Sequence, residues 1–194
     1  MRHLSFYARL IPWRFALGVM ALSFLLACFG DAGRAILRYE VTLLPEAEYW
    51  RAVTGHFVHL GWGHFWLNSA GVIGVWWLYG DQYSARLWAL IFLTCCLGIS
   101  IGFLVLDPQL DYYVGLSGVL HGLLCAGAAR SCMQGKEVGD VIILAGLASK
   151  IIFEQTLGAV PLTEGLSGDT VIVNAHFYGA IWGLICAAIL LARN

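Results

Sequence analysis

The chain has 194 residues, of which 60% are hydrophobic and 12% charged, against about 25% charged in an ordinary soluble domain; this is the composition of a membrane protein. A formal net charge of −1 leaves no basic face to neutralise phosphates and excludes a nucleic-acid partner. The six cysteines show no Cys-x-x-Cys spacing, so neither a disulfide framework nor a zinc site follows, and each is expected to act as a small buried apolar residue.

A helix that crosses the hydrocarbon core needs about 20 mainly apolar residues. In chain order, the stretches 11–29, 63–80, 87–106, 115–130, 139–158 and 171–192 meet or approach that need. They predict an all-α polytopic bundle of six transmembrane helices, with residues 1–194 forming one membrane domain and no room for a separate soluble one. The first stretch has Arg2, Arg9 and Arg14 around its start, as a secretory leader would. No small-residue cleavage pattern follows it, so it reads as a retained span.

The longest connection, residues 30–58, carries Asp31, Arg34, Arg38, Glu40, Pro45, Glu46, Glu48, Trp50 and Arg51. It is polar enough to leave the bilayer and apolar enough to rest partly in its interface. A loop of this length without linker composition is functional or packed by its own side chains. The connections at 81–86, 107–114, 131–138 and 159–170 are short, and "DPQLDYY" and "VPLTEGLSGD" carry the residues of helix breaks. With a cytoplasmic N-terminus, Arg2, Arg9, Arg14, Arg86, Arg130, Lys136 and Arg193 fall inside and Arg34, Arg38 and Arg51 outside. The positive-inside bias therefore puts both termini in the cytoplasm.

Polar groups inside spans are costly and mark function. His64 and Asn68 lie in the second span, Ser117 in the fourth and His176 in the sixth. These three spans run from outside to inside, and each polar group sits in the first part of its span, so all four share one depth just below the outer surface. Any one of them alone is ordinary packing; the agreement in level is not. His64 and Asn68, four apart, stack on one helix face about 6 Å from each other. Ser117 sits at a helix start, where free N–H groups and the positive dipole end favour a developing negative charge.

Gly118, Gly122 and Ala126 repeat every four residues on one helix, as do Ala175, Gly179 and Gly183 on another. Both are small-xxx-small faces that allow close approach in lipid, and docking them brings His176 towards Ser117. The pair then reads as a Ser–His dyad, with His176 as general base and acid. The Ser117 N–H, His64 and Asn68 would hold the oxyanion, at about 3–4 kcal/mol for each lost donor. No carboxylate is expected beside the dyad. His121, four residues after Ser117, is a rival base by spacing. Side chains of one helix project in parallel and towards its N-terminus, which favours His176 as base and His121 as a partner that stacks on or hydrogen-bonds its ring. The trio His56, His59 and His64 lacks a Cys or carboxylate at familiar spacing, so no metal or other cofactor is expected.

"YWRAVTGHFVHLGWGHFWLN" at 49–68, "GLSG" at 115–118 and "AHFYGAIWG" at 175–183 together resemble the rhomboid family of intramembrane serine proteases. The resemblance implies a six-helix fold, a Ser117–His176 dyad flanked by Gly115, Gly118 and Gly179, and oxyanion donors at His64 and Asn68. It implies a packing role for Trp50, Arg51 and His59 in the first loop, and a mobile fifth span or nearby loop that admits substrate. In that fifth span Lys150 and Glu154 form an i,i+4 pair, read as a buried or interfacial ion pair. Many bacterial rhomboids carry tyrosine where this chain has His121. Histidine there, with so small a chain, looks like the rhombosortase branch. That branch implies a site on the periplasmic side of the bacterial cytoplasmic membrane and substrates ending in a Gly-Gly motif, an apolar span and a basic tail.

Three other functions compete: a general rhomboid protease with other membrane substrates, a silent rhomboid-like helix binder, and a small transporter. A silent relative would be expected to lose Ser117 or His176, and both are present. A transporter would spread its polar groups through the membrane depth, whereas these cluster at one level. The oligomeric state is not legible.

Overall fold

The computed structural model describes residues 13–135, 138–161, 164–165 and 171–192. Arg2, Arg9, Lys136 and Arg193, used above for orientation, lie outside the described residues. The described chain forms eight α-helices: α1 (Trp13–Cys28), α2 (Gly30–Leu37), α3 (Arg51–Thr54), α4 (Trp62–Tyr79), α5 (Ala85–Leu106), α6 (Ser117–Met133), α7 (Val138–Leu157) and α8 (Val173–Leu191). A 3-10 turn spans Val41–Leu43. The only β pairing among the described residues is an isolated antiparallel bridge between Tyr39 and Tyr113.

α5 shows why these sequences become helices with one packed face. Ser84 caps it by accepting from the Leu87 N–H, leaving fewer orphan donors in the first turn. Trp88, Ile91, Cys95, Ile99 and Phe103 are then buried at steps of three and four, the period of one helix face. Its other side exposes Leu90, Leu97, Ile101 and Val105, an apolar surface that suits lipid rather than water. α5 and α8 are long and apolar enough to cross a membrane, and α1 with α2, bent by 117° at their break, would make a third such span.

Among the described residues the structure is thus an all-helical bundle in which two or three helices pass this test, fewer than the six stretches expected. The shortfall has a physical origin. α4 carries His64 and Asn68, α6 is a glycine-rich helix of 17 residues, and α7 carries Asp140, Lys150 and Glu154. The polar and small residues of interest are what lower the apolar character of these helices. The 30–58 segment is also more ordered than a plain loop, since it contains α2, the 3-10 turn and α3.

α6 is the helix around which the others pack, with Gly118, Val119, Leu120, Gly122, Leu123, Ala126 and Ala128 all buried. Its closest neighbour is α8. A Cβ on Gly179 would lie 1.9 Å from the Gly118 carbonyl oxygen, and one on Gly183 would lie 2.0 Å from that of Gly122. The backbones touch because neither helix has a side chain there, the arrangement that small residues permit. Four cysteines, Cys95, Cys96, Cys125 and Cys186, are buried as expected of small apolar residues; Cys28 is exposed and Cys132 half-buried.

The backbone contact yields a direct test. Gly179→Ala must push α6 and α8 apart and should lower thermal stability in detergent by about 3 kcal/mol, the upper end of ordinary overpacking. Gly146→Ala on α7, where an added Cβ meets nothing within 4 Å, should leave the melting temperature unchanged or slightly raised.

Candidate active site

The segment that delivers Ser117 is held from the first loop. Tyr39 and Tyr113 exchange N–H to carbonyl hydrogen bonds of 3.0 and 2.9 Å, and the Gly115 N–H donates to the Gly55 carbonyl at 3.0 Å. Gly115 has φ +118°, and a Cβ there would lie 2.6 Å from the His64 ring. Glycine is thus required twice, for the left-handed backbone and for the imidazole against it. The turn explains why α6 begins at Ser117 rather than at 115 as the apolar run suggested.

That loop is packed by its own polar groups. Arg51 is buried and donates to the Ala35 carbonyl at 3.0 Å, the Arg38 carbonyl at 2.8 Å and the Glu48 carboxylate at 2.5 Å. Thr54 donates to the Leu37 carbonyl at 2.7 Å, and Ser100 on α5 donates to the Ala52 carbonyl at 2.8 Å. Trp50 is about half exposed, with its indole N–H 3.4 Å from the Ile36 carbonyl. His59 is buried with its ring edge-on to His64, centroids 5.0 Å apart.

Ser117 is the first residue of α6, and His176 lies in the first turn of α8. The α6–α8 backbone contact brings His176 Nε2 to 3.0 Å from Ser117 Oγ. His121 stacks on His176, centroids 4.1 Å apart and planes 15° from parallel, while its Nδ1 is 2.8 Å from the Ser117 carbonyl. Its own backbone bond therefore turns it away from the serine hydroxyl. His64 and Asn68 face the same space from α4. The Asn68 amide donates to the His64 carbonyl at 3.1 Å, and His64 Nδ1 is buried without a partner among the described atoms. A cavity of about 900 Å³ is lined by Ser117, His176, His64, Asn68, His121 and Lys150, with Leu67, Gly71 and Val75 along its α4 wall.

One expectation is corrected. A carboxylate does stand beside the Ser–His pair: Glu154 Oε2 lies 2.8 Å from His176 Nδ1, and Glu154 Oε1 lies 2.5 Å from Lys150 Nζ. Lys150 Nζ is also 3.3 Å from His176 Nδ1. The Lys150–Glu154 pair exists, but it is joined to a second helix. α7 runs against α8, so residues near its C-terminal end reach the level at which α4, α6 and α8 begin. His121, Glu154 and His176 place one donor atom each within 4.8 Å of one another. His176 Nδ1 and both Glu154 oxygens already have partners in this group, and a lysine ammonium is one of them, so the set offers a cation no unclaimed carboxylate.

An apolar helical bundle able to cross a membrane, with serine, histidine and carboxylate in hydrogen-bond sequence at one end, defines an integral membrane protein with a buried polar centre. The family model described as "Rhomboid domain" matches residues 46–193, and the chain belongs to the rhomboid family. It is also similar to the protein named "Rhomboid protease GluP" from Bacillus subtilis (strain 168), 25% identical over 158 residues. That match covers 78% of this chain and 28% of the relative's length.

His56, outside the spans, is fully buried with Nε2 3.1 Å from the Cys96 carbonyl. Burial pushes it from its ordinary 6.5 down to about 4. His59 is lowered to about 3 by burial and by the neighbouring His64. The unfolded chain accepts protons at these rings as pH falls through 6.5 while the folded chain refuses them, so stability rises with pH across that window and is lost on acidification. Melting temperatures measured in detergent from pH 7 to pH 4.5 should fall. They should fall less steeply in His56→Gln, which keeps an N–H for Cys96 but does not titrate; equal slopes would contradict the assignment.

Proposed function

We propose that the chain is an intramembrane serine protease of the rhombosortase type, working by Ser117 and His176. The single observation that carries the reading is the 3.0 Å approach of His176 Nε2 to Ser117 Oγ at the end of two glycine-packed helices. Ser117 Oγ attacks the scissile carbonyl carbon as its proton passes to His176 Nε2. The oxyanion forms at the N-terminus of α6, beside the Ser117 N–H and the positive end of the helix dipole, with His64 and Asn68 as further donors. The tetrahedral intermediate collapses with the Nε2 proton going to the leaving amine, and water then cleaves the acyl ester by the same path in reverse.

In this proposal the six stretches all cross the bacterial cytoplasmic membrane, both termini are cytoplasmic and the cavity opens towards the periplasm. His121 stacks on His176 and keeps its ring in plane. The substrate is a membrane-anchored protein with a C-terminal Gly-Gly motif, apolar span and basic tail; His121 in place of tyrosine supports that branch. The alternative substrate class is other membrane-anchored proteins, with unchanged chemistry.

Co-expression with a reporter ending in such a tail separates these readings. Wild type should shorten the reporter on a gel, Ser117→Ala and His176→Ala should leave it intact, and His121→Ala should weaken cleavage without removing it. Asn68→Ala should lower the rate about 10²–10³-fold, the loss of one oxyanion donor. Cleavage that survives His176→Ala but not His121→Ala reverses the base assignment. A wild type that spares this reporter but cuts other membrane-anchored ones moves the substrate to the alternative class.

A further inference from the structure

Glu154 is in the wrong place for its own helix. It lies in the last turn of α7, three residues from Leu157, where the exposed carbonyl end disfavours negative charge. Its partner Lys150 precedes it by four residues, the less favourable order for such a pair. Its side chain is fully buried, and an ionised carboxylate inside a bundle costs several kcal/mol unless well paired. Nothing about the stability of α7 accounts for it. What accounts for it lies on α8: His176 Nδ1 at 2.8 Å.

This contact fixes the state of the ring. Two groups stand at Nδ1, and the Glu154 oxygen at 2.8 Å is nearer than the Lys150 ammonium at 3.3 Å. A carboxylate oxygen and an unprotonated ring nitrogen would repel at that distance, so Nδ1 carries the hydrogen and donates it to Glu154, and the ammonium donates to the other carboxylate oxygen. Nε2 is then left with its lone pair, 3.0 Å from Ser117 Oγ, which is the tautomer a general base requires. Lys150 occupies the other carboxylate oxygen and so keeps Glu154 from turning away, while His121 covers one ring face.

We propose that this protein has a Ser117–His176–Glu154 triad rather than a dyad, with Glu154 as a positioning residue that sets the His176 tautomer and Lys150 as the clamp on Glu154. The inference rests on the protease reading above. In the step, the Ser117 O–H bond breaks as Oγ bonds to carbon, and the proton goes to Nε2. The Nδ1 proton stays on the ring, and the imidazolium lies against the Glu154 charge.

The test uses the full chain in detergent, with a fluorophosphonate probe to read serine reactivity and a cleaved membrane-anchored peptide to read kcat and KM. Glu154→Gln should lower kcat and probe labelling by about 10²–10⁴-fold, with KM changed by less than about threefold. Glu154→Asp should recover at least about tenfold of that loss. The double variant Lys150→Met/Glu154→Gln removes both charges together and avoids stranding one in the bundle. It should melt close to wild type yet remain as slow as Glu154→Gln. A double variant that is folded and runs at wild-type kcat overturns the triad and leaves Glu154 a structural ion-pair partner. Nitrogen-15 NMR of the histidines gives a readout that needs no variant to fold: His176 should carry its proton on Nδ1, and an Nε2–H tautomer in the wild type overturns the proposal. A wild type that labels no faster than Ser117→Ala overturns the protease reading and the triad with it, whereas wild-type labelling that the Glu154 variants match overturns the triad alone.

Discussion

The contact between the backbones of α6 and α8 is the constraint on which the site depends. Gly118 and Gly122 lie against Gly179 and Gly183 with no space for a single Cβ at either of the last two. Lipid supplies no hydrophobic force to press helices together, so close van der Waals packing along small residues must do so. Ser117 adjoins one face and His176 the other. Their 3.0 Å separation is therefore a consequence of helix packing, not of a local loop, and it is as rigid as that packing.

The other elements complete the geometry from two directions. The first loop ties itself together through buried Arg51 and holds the segment before α6 by the Tyr39–Tyr113 bridge and the Gly115–Gly55 hydrogen bond. α4 brings His64 and Asn68 against the turn at Gly115, where any other residue would collide with the His64 ring. α7 adds Lys150 and Glu154 from the opposite direction. His64, Asn68, Ser117, His121, Lys150 and His176, from four helices, thus line one cavity in a chain that is otherwise mostly apolar.

Much of this was legible from residue spacing. The repeats of four at Gly118/Gly122/Ala126 and Ala175/Gly179/Gly183 announce which faces meet, and the common depth of His64, Asn68, Ser117 and His176 announces where. The bounds of α6 were not, because an apolar run does not reveal that Gly115 adopts φ +118°. The helices inside the 30–58 segment were also missed, since α2 and α3 are 8 and 4 residues long, too short for apolar periodicity to stand out. Glu154 reads from the sequence as the ion-pair partner of Lys150, and its place beside His176 does not show in that spacing. The signal that carries it is level: a residue near the end of one helix lies at the height where an antiparallel neighbour begins, and Glu154 is three residues from the end of α7.

In the proposed mechanism Ser117 is a nucleophile activated across the α6–α8 contact and facing donors on α4. The most direct measurement is an experimental structure of the wild-type protein after reaction with a fluorophosphonate, which mimics the tetrahedral intermediate. Phosphorus should be bonded to Ser117 Oγ, with His176 Nε2 within hydrogen-bond distance of that centre and the phosphonyl oxygen directed at the Ser117 N–H, His64 and Asn68. Phosphorus on another residue, or a phosphonyl oxygen directed away from His64 and Asn68, would contradict that mechanism.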